Sequence, residues 1–413
     1  MISQNTQKID TSIAQNTKPN YQFALIIMAI LFFTFGFITC LNDILSPTLK
    51  KILNLNYTQT SYIPFAFFFA YFLISPPSIW VVKKIGFQKS TGIGILITAL
   101  GCLLFLPASI YLSFEVFLVA LFTLGSGMAL LQTAANPYIA ILGSPETSSS
   151  RLTIVQAFNS LGTTLAPAFG TYLILNNLGK NPSPEALKIP YTSIGIALFL
   201  LALVIFIINL PKVLPDQQDE SMESNKVSVW QHNHLILGAI GIFMYVGAEV
   251  SIGVYLVNYI GLPEIINLEE KQAGFYLSFY WGGAMVGRFL GSWVMQKIAP
   301  NQVLFFNAVL ATILLLLGIF LQGFVALMAI LLIGLCNSIM FPTIFTLAIK
   351  KLGKFTEAGA GILCMAIVGG ALVPVLHGKM ADIFGLQISF LVPVICYIYI
   401  AFFGFKGYKV NQK

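Results

Sequence analysis

The chain has 413 residues, of which 57% are hydrophobic and only 9% charged, with a mean hydropathy of +0.85 and a formal net charge of +7. A soluble domain carries roughly 25% charged residues, so the composition excludes a soluble globular fold and puts the chain in a bilayer. The basic surplus needs no nucleic-acid partner, because the positive charges segregate to one side of the predicted spans.

In chain order, residues 1–20 are polar and are expected to be a disordered cytoplasmic N-terminus. The stretch YQFALIIMAILFFTFGFITCL that follows has no charge, is too long for a signal-peptide core and lacks a small-residue cleavage site. It reads as a retained helix. A spanning helix needs about 20 apolar residues. Segmentation at charges and turn residues predicts twelve spans: 22–48, 60–83, 90–110, 114–142, 152–176, 191–210, 234–260, 272–297, 301–321, 323–350, 356–381 and 387–407. The polar stretch 211–233 divides six from six. The expected organisation is an N-terminal bundle over 21–210, a central cytoplasmic loop over 211–233, a C-terminal bundle over 234–407 and a cytoplasmic tail over 408–413.

An even number of spans puts both termini on one side. That side collects fifteen Lys or Arg and the other six, with Arg288 inside a span. By the positive-inside rule both termini are expected in the cytoplasm. The five cysteines lie in apolar segments without a CxxC pair, and of the three histidines only His232 and His234 are neighbours. Neither a disulfide framework nor a metal centre is expected.

The two halves echo one another. SIWVVKKI (78–85) and GSWVMQKI (291–298) match at Trp80/Trp293, Val81/Val294, Lys84/Lys297 and Ile85/Ile298. Gly162-TTLA-Pro167 likewise pairs with Gly369-GALV-Pro374. Both echoes are six spans apart and run in the same direction, as duplicated six-helix units would. Parallel six-helix repeats joined by a central loop describe the major facilitator fold, whose binding site lies between the halves.

Polar groups inside the spans are the site candidates, since such groups are costly in lipid and belong in a wet cavity. Asp43 closes the first span in TCLNDILSP beside Asn42, although Lys50 follows soon enough to place it near the interface. Glu249, in GIFMYVGAEVSIGVYLVNY, is mid-span; it suits a group that gains and loses a proton, or a partner for Arg288. Gln132 and Asn136 in LLQTAANPY, and Gln156 and Asn159 in RLTIVQAFNSLG, form same-face amide pairs. Amides can bracket sugar hydroxyls with donors and acceptors. Asn337 either contributes to that set or holds two helices together. Trp281, beside Tyr280, is either an aromatic lid for a sugar ring or packing. Gly283, Gly287 and Gly291 form a stripe that permits close helix approach.

GFITCLNDILSP, LLQTAANPYIAILG, RLTIVQAFNSLGTT, YVGAEVSIGVYLVNY, GRFLGSW, FPTIFTLAIKKLG and MAIVGGALVPV together resemble the fucose–proton symporter family of the major facilitator superfamily, closest to its glucose/galactose transporter branch. The resemblance runs through almost the whole chain. It implies an inner-membrane secondary transporter that imports a monosaccharide by proton symport through alternating access. It also assigns Asp43 to coupling and sugar contact, and Asn42, Gln156 and Asn159 to the other polar positions. Two departures stand out: Gln132 where the fucose branch has Glu, and Glu249 where it has Gln. The loop signature in SIWVVKKIGFQK has Val82 at its acidic position, while Gly378-KMA-Asp382-IF-Gly385 is kept at the eleventh-to-twelfth junction.

The expected protein is therefore all-α, with twelve transmembrane helices in two bundles, and acts as a monomer on a sugar without a cofactor. Asp43 and Glu249 are the proton-coupling candidates. Sodium coupling, uncoupled transport, and a fucose or N-acetylglucosamine substrate are the alternatives. An intramembrane enzyme would need a nucleophile–base pair or a metal triad that the sequence does not offer.

Overall fold

A computed structural model describes residues 21–53, 57–170, 185–208, 210–211, 229–268 and 270–410. Within its helices, the side chains of 40–52, 57–61 and 167–170, and of a few positions at 64 and within 185–190 and 270–274, lie outside the description. The expected N-terminal segment 1–20, most of the expected central loop and the last three residues of the tail also lie outside it. Among the described residues every element is helical. Hydrocarbon demands this, because it offers no partner to a backbone N–H or C=O.

Helix α1 (Tyr21–Ile52) is the first span. Helix α2 (Tyr57–Tyr111) holds both the second and the third, bent at Gly86 with φ 80° and ψ 171°. Helices α3 (Phe114–Ile141), α4 (Ser148–Gly170) and α5 (Glu185–Ile207) complete the first six. Helices α6 (Asn233–Ile260), α7 (Glu270–Val294) and α8 (Pro300–Phe320) follow. The last three spans are broken, where the sequence predicts continuous helices over 323–350, 356–381 and 387–407. The tenth divides into α9 (Gly323–Asn337) and α10 (Met340–Ala348). The eleventh divides into α11 (Thr356–Met365) and α12 (Gly369–Phe384) across a 3-10 turn. The twelfth comprises the short α13 (Leu386–Ser389), α14 (Leu391–Phe402) and a π turn, Phe403–Gly407. Hydropathy runs unbroken through these points, but prolines mark two of them: Pro342 and Pro393 have no N–H for the carbonyls of Ser338 and Ser389.

Helices α1–α5 pack on one another, α1 on α4 and α2 on α3 and α5; α6–α14 do the same, with α6 against α12, α14 and α10. The halves meet where α4 touches α7 and α10 and where α11 touches α2 and α3.

The sequence echoes reappear as equivalent contacts. A Cβ added at Gly162 would stand 2.2 Å from the Phe33 carbonyl oxygen, and one at Gly369 would stand 2.1 Å from that of Phe243. Each glycine thus lets its helix touch the backbone of the first helix of its own half. Lys84 Nζ lies 4.7 Å from the Trp80 ring centroid and Lys297 Nζ 4.3 Å from that of Trp293, a cation–π pair at the same end of each half.

A third echo relates opposite ends of the molecule. Gly86-Phe-Gln-Lys-Ser and Gly385-Leu-Gln-Ile-Ser both turn on a left-handed glycine, with φ 80° and 86°. Gln88 Nε2 donates to the carbonyls of Ile205 (2.7 Å) and Ile208 (2.5 Å) at the end of α5. Gln387 Nε2 donates to Gly318 (3.2 Å) and Leu321 (3.0 Å) at the end of α8. A helix end leaves its last carbonyls without partners, and each glutamine supplies them within its own half. The Gly86 turn lies on the lysine-rich face, with the loops after α3, α7 and α10, whereas Gly385 lies on the opposite face. The two turns are therefore related by inversion, as nested three-helix repeats require.

Candidate functional site

Glu249 lies near the middle of α6 with its side chain 14% exposed. Its Oε1 accepts a 2.7 Å hydrogen bond from the Tyr245 hydroxyl, one turn earlier on the same helix. Arg288 of α7 brings Nη2 to 4.0 Å from the same oxygen, forming an ion pair. A charge inside a span is costly unless paired, and this contact gives Arg288 a partner.

The rest of the guanidinium is committed elsewhere. Nε donates to the Ser338 carbonyl at 3.1 Å, in the break between α9 and α10. Nη1 donates to the Gln156 carbonyl at 3.4 Å and to the Ser160 hydroxyl. Both acceptors belong to α4, in the other half. One side chain therefore touches a carboxylate, a helix break and the opposite bundle.

Asn337 ends α9 directly behind this junction and is fully buried. Its Nδ2 donates to the Tyr280 hydroxyl at 2.8 Å and its Oδ1 accepts from Tyr397 at 2.6 Å. Tyr280 in turn donates to the Glu249 carbonyl at 3.3 Å. Asn337 thus ties α9 to α7 and α14, with both ends of its amide engaged by protein. Trp281 is 37% exposed and stands edge-on to Tyr280, with its ring against Gly253, one turn along α6 from Glu249.

In the first half, Gln132 Nε2 donates to the Tyr71 hydroxyl at 3.2 Å, and Asn136 Nδ2 reaches Gln132 Oε1 at 3.4 Å. The i, i+4 spacing on α3 makes that pair. Asn136 Oδ1 is buried without a partner among the described residues. Asn159 Nδ2 donates to the Phe32 carbonyl of α1 at 3.0 Å. Gln156 is 8% exposed and no hydrogen bond joins its amide to the described residues. Asn42 and Asp43 fall on α1 one turn beyond Thr39, and their side chains lie outside the described residues.

The structure therefore gathers Glu249, Gln156 and Arg288 at the seam between the halves, keeps Gln132 and Asn136 as a second group around Tyr71, and spends Asn159 and Asn337 on helix–helix bonds. The sequence reading passed over Tyr71, Tyr245, Ser160 and Tyr397. Tyr245 could have been found from its four-residue spacing to Glu249. Tyr71, in FFFAYFLI, reads as one more packing aromatic.

Toward the lysine-rich face the halves are joined by hydroxyls. Ser149 Oγ lies 2.5 Å from Thr346 Oγ1. Ser150 Oγ donates to the Ser292 carbonyl at 2.7 Å, and Ser292 Oγ returns a bond to the Ser150 carbonyl at 3.1 Å. Cys364 is fully buried on α11, which packs against α2 and α3 of the other half. Among the described residues no group of three or more His, Cys, Asp or Glu could hold a metal ion.

Residues 27–363 match the sequence profile of the Major Facilitator Superfamily. The chain belongs to that superfamily. Among its relatives in the Major Facilitator Superfamily, the glucose/galactose transporter of Brucella abortus biovar 1 is 50% identical over 399 residues, covering 95% of this chain and 96% of that protein. The L-fucose-proton symporter of Escherichia coli is 32% identical over 425 residues, covering 97% and 96% of the two chains. A crystal structure of the transporter FucP in the outward conformation superposes with a TM-score of 0.85 at 31% identity, covering 95% of this chain and 100% of that one.

Proposed function

We propose that this protein imports a monosaccharide, glucose or galactose, by proton symport across the bacterial cytoplasmic membrane. The observation that carries the reading is the 50% identity, over 95% of the chain, to a protein that bears the name glucose/galactose transporter. The seam is chemically suited to the task. Gln156 offers an amide with no bond to the described residues, and Gln132 and Asn136 supply further donors and acceptors of the kind that bracket sugar hydroxyls. Trp281 presents an aromatic face one turn along α6 from Glu249.

Asp43 carries the proton in this reading. Gln132 cannot titrate, and Glu249 is matched by Arg288, which favours the first-helix carboxylate as the group that changes charge. Asn42 accompanies it toward the sugar, whereas Asn159 and Asn337 hold the helices that frame the site. The lysine-rich face is the cytoplasmic one. The hydroxyl seals on that face correspond to a protein open to the outside, in keeping with its likeness to FucP in the outward conformation. The protein works as a monomer and requires no cofactor.

The test is uptake of labelled glucose into proteoliposomes under an imposed pH gradient, with and without sodium and with and without an uncoupler. Accumulation that needs the gradient, ignores sodium and is outcompeted by galactose supports the reading. Uptake that survives the uncoupler and follows sodium replaces the proton with sodium, and no uptake of either hexose removes the substrate assignment.

A further inference from the structure

Arg288 makes contacts of two kinds. Those to Glu249 and to the Ser338 carbonyl stay within the second half, while those to the Gln156 carbonyl and the Ser160 hydroxyl cross to α4 of the first. The guanidinium has its donors in a fixed planar fork, so Nε and Nη1 cannot be aimed independently. Anchoring one edge on Ser338 and Glu249 fixes where the other edge meets α4.

Pro342 makes that anchor available. In a helix the Ser338 carbonyl would accept from the N–H four residues on, and Pro342 has none; here α9 ends at Asn337 and α10 begins at Met340. Glu249 supplies the countercharge that lets a guanidinium remain in a mostly buried seam. Along α4, Gln156 and Ser160 are one turn apart, and the amide of Gln156 is among the sugar contacts proposed above.

We propose that Arg288 is a positioning residue of the transport cycle: it sets the distance between the two walls of the sugar site and holds the halves together, and opening toward the lysine-rich face requires Nη1 to let go of α4. Glu249 is then a fixed countercharge that keeps Arg288 in place. The inference rests on the transport reading for its consequence, but it can be read without sugar.

Cys364 provides the readout. Its thiol is fully buried on α11, which packs against α2 and α3 of the other half, so parting of the halves exposes it to a membrane-permeant maleimide. Labelling is followed by mass spectrometry in detergent or nanodiscs without sugar. Ser160→Ala removes a cross-seam acceptor and leaves the ion pair intact. The double variant Glu249→Gln/Arg288→Gln removes the fork without stranding a charge. Both are expected to label Cys364 about tenfold faster than wild type, the scale set by loss of one charge-assisted hydrogen bond. Arg288→Lys keeps the charge but loses the fork, and is expected to label at a similarly raised rate.

Wild-type rates in Ser160→Ala and in Arg288→Lys would overturn the proposal. Should the double variant fail to fold, those two decide. Wild-type protein that takes up no hexose would sink the transport reading while leaving the labelling result standing, so the two failures are distinguishable.

Discussion

Gly162 and Gly369 hold equivalent places in the two halves, each pressing its helix against a phenylalanine carbonyl, that of Phe33 in one half and of Phe243 in the other. With a Cβ only 2.2 or 2.1 Å from that oxygen, neither helix can keep its place if the residue gains a side chain. Gly162→Ala and Gly369→Ala are each expected to lower the melting temperature in detergent, with a cost at or above the 1–3 kcal/mol typical of overpacking. The larger Leu variants should abolish a monodisperse peak in size-exclusion chromatography. Unchanged melting of both alanine variants would show that neither contact holds its helix in place.

Asn337 and Gln156 separate structure from binding. Asn337→Ala strands the buried Tyr397 hydroxyl, at about 1–3 kcal/mol for the unsatisfied group, and takes one of two bonds from the Tyr280 hydroxyl, which keeps the Glu249 carbonyl; it should lower thermal stability. Gln156→Ala breaks no side-chain bond to the described protein, so it should keep the melting temperature and raise the KM for hexose about tenfold or more, the cost of losing one or two hydroxyl contacts. A variant of Asn337 with normal stability and lost affinity would reverse the two roles.

Asp43→Asn tests the assignment of the proton. An amide can still hold a sugar but cannot titrate, so uphill accumulation under a pH gradient should vanish while exchange of internal for external sugar persists. Normal proton-driven accumulation by this variant would remove Asp43 from the coupling mechanism.

Ser150 is buried where α4 meets the end of α7, bonded to Ser292 in both directions. Ser150→Leu places a bulky side chain into that seal. Transport should fall at least tenfold in maximal rate, and Cys364 should label faster, because the halves no longer close on that face. Full activity with slow labelling would show that the seal lies elsewhere.

Most of the fold was legible because hydrocarbon imposes a length and an apolar composition on every span, and α1, α3, α6 and α8 fall close to their expected bounds. The break beside Asn337 has a mark that the sequence reading passed over: Pro342, which has no N–H for the Ser338 carbonyl four residues earlier. The break beside Met365 runs through Ala, Ile and Val with no proline four residues on. Glu249 and Arg288 were legible as charges in need of a reason. Their joining to Ser338 and α4 was not, since the acceptors are backbone carbonyls, which every residue carries. The amides show the same limit: Asn159 and Gln156 look alike in sequence, yet one donates to the Phe32 carbonyl and the other bonds to none of the described residues.

The hydroxyl seals carry no net charge. A membrane voltage of 100 mV does about 2.3 kcal/mol of work on each elementary charge carried across, and none on Ser149 separating from Thr346 or Ser150 from Ser292. Neutral seals are also indifferent to ionic strength, which weakens exposed ion pairs. Parting of these hydroxyl pairs is thus electrically silent, and any current that accompanies turnover belongs to charged groups and cargo elsewhere.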